Sequence, residues 1–183
     1  MATAMTKSEI IKMLTGNDRR TIAHANLLVS KLTHDRTGLK NLYHLLSHED
    51  ADICFRASDT LEKILRNETA AIRTLSPYLN KDWPKLIGNE ALQMHLPLIL
   101  GYVAWKKNDA TRIGTRLLEL AHTTKNKFVT VNTMTGLADI ALRHTWLVPT
   151  VWGLLDEMEM KGSAALRARA RILKKKINLA TKL

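Results

Sequence analysis

The sequence predicts an all-α fold, an α–α superhelix of about five stacked helix pairs forming one domain over residues 1–183. Three observations carry that expectation. Glycine and proline are scarce, 8 and 4 of 183 residues, well under the roughly 12% of an average globular chain. A β-sandwich or barrel needs frequent turns built from those two residues, so that class is excluded. Leucine and alanine supply 29 and 19 residues, and both favour helix. Finally, one apolar pattern recurs at helical spacing along the chain.

The elements follow in order. Periodicity and polar breaks predict helices at 7–14 and 18–33, 37–47 and 50–66, 68–79 and 83–95, 110–122 and 127–143, and 147–160 and 163–179. Gly16, Asn17 and Asp18 end one helix and offer an N-cap to the next, and Gly38 separates the first two pairs. Pro84 and Pro149 are assigned to first-turn positions, where the missing N–H costs nothing. The apolar run 96–105 is read as an extra or kinked helical turn.

The recurring pattern belongs to the second helix of each pair. Ile53, Ala57, Ser58 and Leu61 stand at offsets 0, 4, 5 and 8. Pro84, Gly88, Asn89 and Leu92 repeat those offsets, as do Val129, Thr133, Met134 and Leu137. A further copy begins at Leu166 and Arg167, with Ala170 in the small position. The first copy, from Arg19-Arg20 with Ala23 and Leu27, is poor, since Ile22, Val29 and Leu32 fall outside its arc. At about 100° per residue the offsets share one arc of a helix. Small residues at its centre admit a neighbouring helix, and larger ones at its ends fill the core.

This pattern after a short acidic turn resembles the HEAT repeat, and LLSHEDADICFRASDTLEKIL is its closest copy. The second-position arginine of that family is present at Arg20 and Arg167, and is replaced by Lys85, Cys54 and Thr130 elsewhere. Start-to-start spacings of 34, 31, 45 and 37 are mostly short for HEAT. The resemblance implies a solenoid whose second helices line a concave face, acting as an interaction or scaffold module. An irregular bundle whose Ala/Leu periodicity imitates repeats is the alternative architecture.

With the apolar offsets buried, offsets 3, 6 and 10 face outward. They give Arg56, Asp59 and Lys63, then Ile87, Glu90 and Met94, then Asn132, Thr135 and Asp139, then Arg169, Ile172 and Lys176, with Phe55 joining from offset 2. A surface of both charge signs with apolar contacts suits a protein or peptide partner. A nucleic-acid channel should instead be dominated by Lys and Arg.

Charge keeps the second possibility open. The net charge is +11, and residues 93–183 hold 15 Lys/Arg against 6 Asp/Glu. The terminal segment 161–183 has no acidic residue; its apolar arc is Leu166, Ala170, Leu173, Ile177 and Ala180. Arg167, Arg171, Lys174 and Lys175 form the opposite face, either an anion-binding surface or a polar cap on the last repeat.

Catalytic and metal motifs are sparse, and the sequence gives no reason to expect a cofactor. Of seven histidines, His44 and His48 stand four apart beside Glu49. They lack further metal ligands and any HExxH. The HEAT-like deoxyhypusine hydroxylases bind iron through several His-Glu dipeptides, whereas this chain has His48-Glu49 alone. Trp105 and Asp109 resemble the Trp and Asp of the HEAT-like alkylpurine DNA glycosylases, with Trp83, Trp146 and Trp152 as further aromatics. A buried core tryptophan with Asp109 at a helix start explains the same two residues. Gly-rich phosphate loops, GxSxG elbows and CxxC pairs do not occur. One cysteine, Cys54, allows no intrachain disulfide and is expected to be packed. The N-terminus lacks the apolar core of a signal peptide, and 96–105 is too short to span a bilayer, so the expected location is cytoplasmic.

Overall fold

The computed structural model describes residues 4–15 and 24–181. Ten α-helices and no strand occur among them. They are α1 (Lys7–Leu14), α2 (Ala25–Leu32), α3 (Arg36–His44), α4 (Ala51–Asn67), α5 (Thr69–Leu86), α6 (Leu96–Tyr102), α7 (Lys107–Thr123), α8 (Lys127–Arg143), α9 (Val148–Lys161) and α10 (Ala164–Thr181). Packing divides the chain into two compact units, residues 1–99 and 100–183. Net charge divides at the same point, +2 before it and +9 after it. Among the described residues no helix is long and apolar enough to cross a membrane.

In the first unit α4 is the central helix. It packs on α1, α2, α3 and α5, while α1 also packs on α3. Asp50 starts α4 by accepting from the Asp52 and Ile53 amides at 2.7 and 3.3 Å. Ile53, Ala57, Leu61, Ile64 and Leu65 are buried, as the spacing predicts. Thr6 and Glu9 form a reciprocal capping box on α1, whose backbone hydrogen bond holds the Glu9 carboxyl below its ordinary range. Gly38 is required in the first turn of α3: a Cβ there would lie 2.6 Å from Leu32 Cδ2 and 2.5 Å from capping Asp35 Oδ2.

Two sequence assignments are corrected here. The third pair, 68–79 and 83–95, is instead one continuous α5 followed by a short 3₁₀ turn over Glu90–Leu92. Its buried stripe Ala71, Leu75, Leu79, Trp83 and Leu86 runs unbroken past Pro77 and Pro84. Both prolines are exposed, so water serves the carbonyls their missing N–H groups abandon. Pro84 and Gly88 are therefore not core positions, although Leu92 is buried. The run 96–105 supplies α6 itself. In the first copy, Gly16 to Ala23 lie outside the described residues, but Leu27 is 49% exposed while Ala25, Leu28 and Leu32 are buried. The register there begins one residue later than the sequence suggests.

In the second unit α8 is central and packs on α7, α9 and α10. Val129, Thr133, Met134, Leu137 and Ala141 are buried, and the Thr133 hydroxyl donates to the Val129 carbonyl at 2.8 Å. Gly101 meets Gly136 of α8 so closely that a Cβ would stand 3.1 Å from its Cα. The Arg143 guanidinium donates to the Gly101 and Val103 carbonyls, closing the end of α6. Leu166, Ala170, Leu173 and Ile177 of α10 are buried; Ala180, expected with them, is exposed.

Candidate functional site

On α4 the expected outward face is partly realised. Phe55, Asp59 and Lys63 are half-buried along one edge, at i, i+4 and i+8. Arg56 is not among them. It is 3% exposed, and its Nη1 donates at 2.9 Å to the Leu14 carbonyl at the end of α1. One residue of rotation thus turns a presumed surface cation into a helix-end cap for a neighbour.

His95, which the sequence reading overlooked, completes the α4 edge. Its ring lies 4.9 Å from that of Phe55. Ser58 Oγ donates to the Phe55 carbonyl at 2.7 Å and stands 2.9 Å from His95 Nδ1. Burial pushes the His95 pKa down, against the negative charges of Asp59 and Glu62 and with the positive charges of Lys63 and Arg66. Asp59 Oδ1 lies 3.6 Å from Nε2, and its other oxygen binds Lys63 Nζ at 2.7 Å. Serine, histidine and aspartate meet here, but Ser58 is fully buried, with its Oγ between the Phe55 carbonyl and His95 Nδ1. The geometry fixes a side-chain network and presents no nucleophile to solvent.

Ile87, Glu90 and Met94 do not share a helical face. Ile87 is the C-cap of α5, Glu90 sits exposed in the 3₁₀ turn, and Met94 lies half-buried before α6. The misplaced third copy explains all three.

The second unit brings its expected residues together. Asn132, Thr135 and Asp139 are half-buried along α8, and Arg169, Ile172 and Lys176 follow the same spacing on α10. Lys176 Nζ reaches Asp139 Oδ1 at 2.5 Å and joins the two rows. Ile172 is 58% exposed, and Phe128 and Leu179, at 73% and 63%, extend the rows at helical spacing. The result is a strip with an ion pair and three uncovered apolar side chains.

The basic face of α10 is less available than the sequence implies. Lys174 contacts Asp156 at 2.5 Å and Glu159 at 2.6 Å, while Arg171 binds Glu159 at 2.9 Å. Those bonds raise the Lys174 pKa and hold the Glu159 carboxyl below its usual range. Arg167 donates to the Gly162 carbonyl at 3.0 Å, and Lys175 is exposed. Half of the expected cluster is therefore an α9–α10 ion-pair network, because acidic residues of α9 are in reach.

Trp105 is 6% exposed, and its indole donates to the Leu100 carbonyl at 2.8 Å. Asp109 lies in the first turn of α7, 3.8 Å from Arg112. His48 Nδ1 accepts from the Asp50 amide at 3.0 Å, and the exposed His44 packs edge-on against Tyr43 and Tyr78. Cys54 is buried, with its thiol donating to the His48 carbonyl, and burial pushes its pKa up. Among the described residues no group of three or more His, Cys, Asp or Glu side chains is placed to hold a metal ion.

No protein-family model, curated protein or solved structure matches the chain.

Proposed function

We propose that the chain is a HEAT-like helical-repeat module, non-catalytic, that binds a protein segment along the α8/α10 strip. The strip itself carries this reading: exposed Ile172 and Leu179 stand about one turn to either side of Lys176 on α10, and exposed Phe128 opens the α8 row that leads to its partner Asp139. Apolar anchors beside a partly covered ion pair offer contact area and orientation to a peptide. The repeat reading gains support from packing between successive even-numbered helices within each unit: α2 packs on α4, and α8 packs on α10. Gly101 and Gly136, which approach closely, are 35 positions apart, and Asp139 and Lys176, which pair, are 37. Both separations are shorter than HEAT's roughly 40–47 residues. The non-catalytic part rests on Trp105, which is buried and leaves no ring face for a base to stack on.

A photo-crosslinking amino acid at position 172 tests the binding surface, with exposed Met160 on α9 as the control site. A discrete, nuclease-resistant protein adduct from position 172, absent from 160 and lost in Asp139→Lys, is expected. Adducts only to nucleic acid, or none above the control, reject the reading. Release of an alkylated base by the purified protein, abolished by Asp109→Asn, rejects its non-catalytic part.

A further inference from the structure

A cavity of about 250 Å³ opens in the second unit. Lys125 and Thr124 reach it from the α7–α8 connection, Lys127 from the start of α8, Lys161 from the end of α9, and Ser163 from the start of α10. Lys125, Lys127 and Lys161 are exposed and make no ion pair among the described residues. One carboxylate, Glu157, also lines the cavity, and it is held by His122 at 3.2 Å. Three lysines and one carboxylate already engaged by His122 therefore line the cavity.

Ser163 supplies an independent observation. It immediately precedes α10, and its carbonyl accepts the first helical hydrogen bond, from the Arg167 amide at 2.9 Å. A serine there ordinarily caps the helix by accepting from an amide of the first turn. Here its Oγ is buried and makes no hydrogen bond, so the side chain leaves the start of an 18-residue helix uncapped. An uncapped N-terminus presents N–H groups and a partial positive charge to whatever occupies the adjoining space. Gly162 shapes the approach: a Cβ there would collide with the Met158 carbonyl. Three lysines and the start of α10, with its Ser163 side chain unengaged, thus border one small volume.

We propose that this lysine-lined cavity at the start of α10 is an anion site that holds a phosphomonoester dianion. A single compact dianion matches the site better than a nucleic-acid strand. A strand needs a track of unpaired cations, and the nearby Arg171, Lys174 and Lys176 are already bound to Glu159, Asp156 and Asp139. The ligand-bearing group is a phosphate on a small molecule or on a phosphorylated peptide, and the chemistry of capture is the same for both.

The test is an amide NMR titration of the full chain at about 0.15 M salt, where weak long-range attraction is screened. The probes are inorganic phosphate, N-acetyl-phosphoserine amide, and dimethyl phosphate as a singly charged diester. Both dianions should shift the amides of 124–128 and 162–166 saturably, and the diester should bind about tenfold more weakly. Equal binding of the two dianions identifies a small phosphate-bearing ligand, while tighter phosphoserine binding identifies a phosphopeptide; either supports the site. Changing Lys125, Lys127 and Lys161 together to Gln should weaken binding by about tenfold or more, whereas Lys175→Gln should not. The three lysines are exposed, so an unchanged melting temperature is expected of the triple variant. Unchanged affinity in that variant, shifts spread evenly over every lysine-bearing surface, or duplex DNA outcompeting the dianions at the same amides would overturn the proposal.

Discussion

Leu27 and Leu28 are adjacent on α2 and identical in chemistry, so Leu→Ala at each isolates the effect of burial. Leu28 is fully buried and Leu27 is 49% exposed. The helix-propensity change is the same at both sites and favours Ala slightly. At Leu28 the substitution removes a whole buried side chain and leaves a cavity, a loss of about 2–5 kcal/mol. At Leu27 half the side chain is already in water and no cavity forms, so the loss should stay below about 1 kcal/mol. Urea unfolding reads the difference. With a slope of roughly 2 kcal/mol/M, the Leu28 variant should shift its midpoint by about 1–2.5 M and the Leu27 variant by less than about 0.5 M. Amide hydrogen exchange on α4, which packs directly on α2, should show the same order within the first unit. Equal losses at the two positions, or a larger loss at Leu27, would refute the one-residue register shift.

Gly101→Ala should destabilise the second unit by roughly 1–3 kcal/mol, because its Cβ presses on the Gly136 backbone. Gly153→Ala, with nothing within 4 Å of the new Cβ, should stabilise α9 by about 0.5–1 kcal/mol, and thermal melts of the pair check both signs. Burial lowers the pKa of His95 and of His144, so the unfolded chain takes up protons that the folded chain refuses as pH falls below about 6.5. Stability should therefore decline from neutral pH toward pH 5, with further loss below about 4.5 as Glu9 and Glu159 protonate; His95→Gln should flatten the first limb, and a Tm that rises on acidification contradicts this. On α10 only Arg167 and Lys175 of the four basic-face residues lack a carboxylate, so duplex DNA binding through that face should show a log–log salt slope of about −1.8 rather than −3.6. Titration at several salt concentrations measures it.

Elements whose apolar stripe and terminal chemistry agree were legible. Residues 7–14 and 127–143 are helical over the spans their periodicity predicts, and Ile53, Ala57, Leu61, Val129, Leu137, Leu166 and Leu173 are buried. The failures arise where two local signals conflict. Pro84 is a strong break in sequence, yet the stripe from Ala71 to Leu86 continues beneath it on the side the proline does not touch. Arg56 reads as outward because it stands at offset 3 of the pattern; in the structure it is buried and donates to the Leu14 carbonyl, 42 residues away, a partner no local spacing could reveal. His95 could not be joined to Phe55 and Asp59 without knowing that the chain after α5 returns to α4. The strip on α8 and α10 was legible because those two copies kept their register.

Net charge alone does not say where an anion binds. The six carboxylates after residue 99 are all engaged: Asp109 by Arg112, Glu119 by Arg116, Asp139 by Lys176, Asp156 by Lys174, Glu157 by His122, and Glu159 by Arg171 and Lys174. The partners are drawn largely from the middle of helices, where the side chain three or four residues on, or on the adjoining helix, is within reach. Lys125, Lys127 and Lys161 sit at the helix ends beside the α7–α8 and α9–α10 connections, and the chain there supplies Asn126 and Gly162 in place of acids. Their charge is a local field at that set of helix ends. It adds to the partial positive charge of the α8 and α10 N-termini instead of cancelling it. A protein stabilised only by interhelical ion pairs would gain by placing acids in those turns. The turns here carry lysines instead, and an incoming dianion would supply the counter-charge that the turns themselves lack.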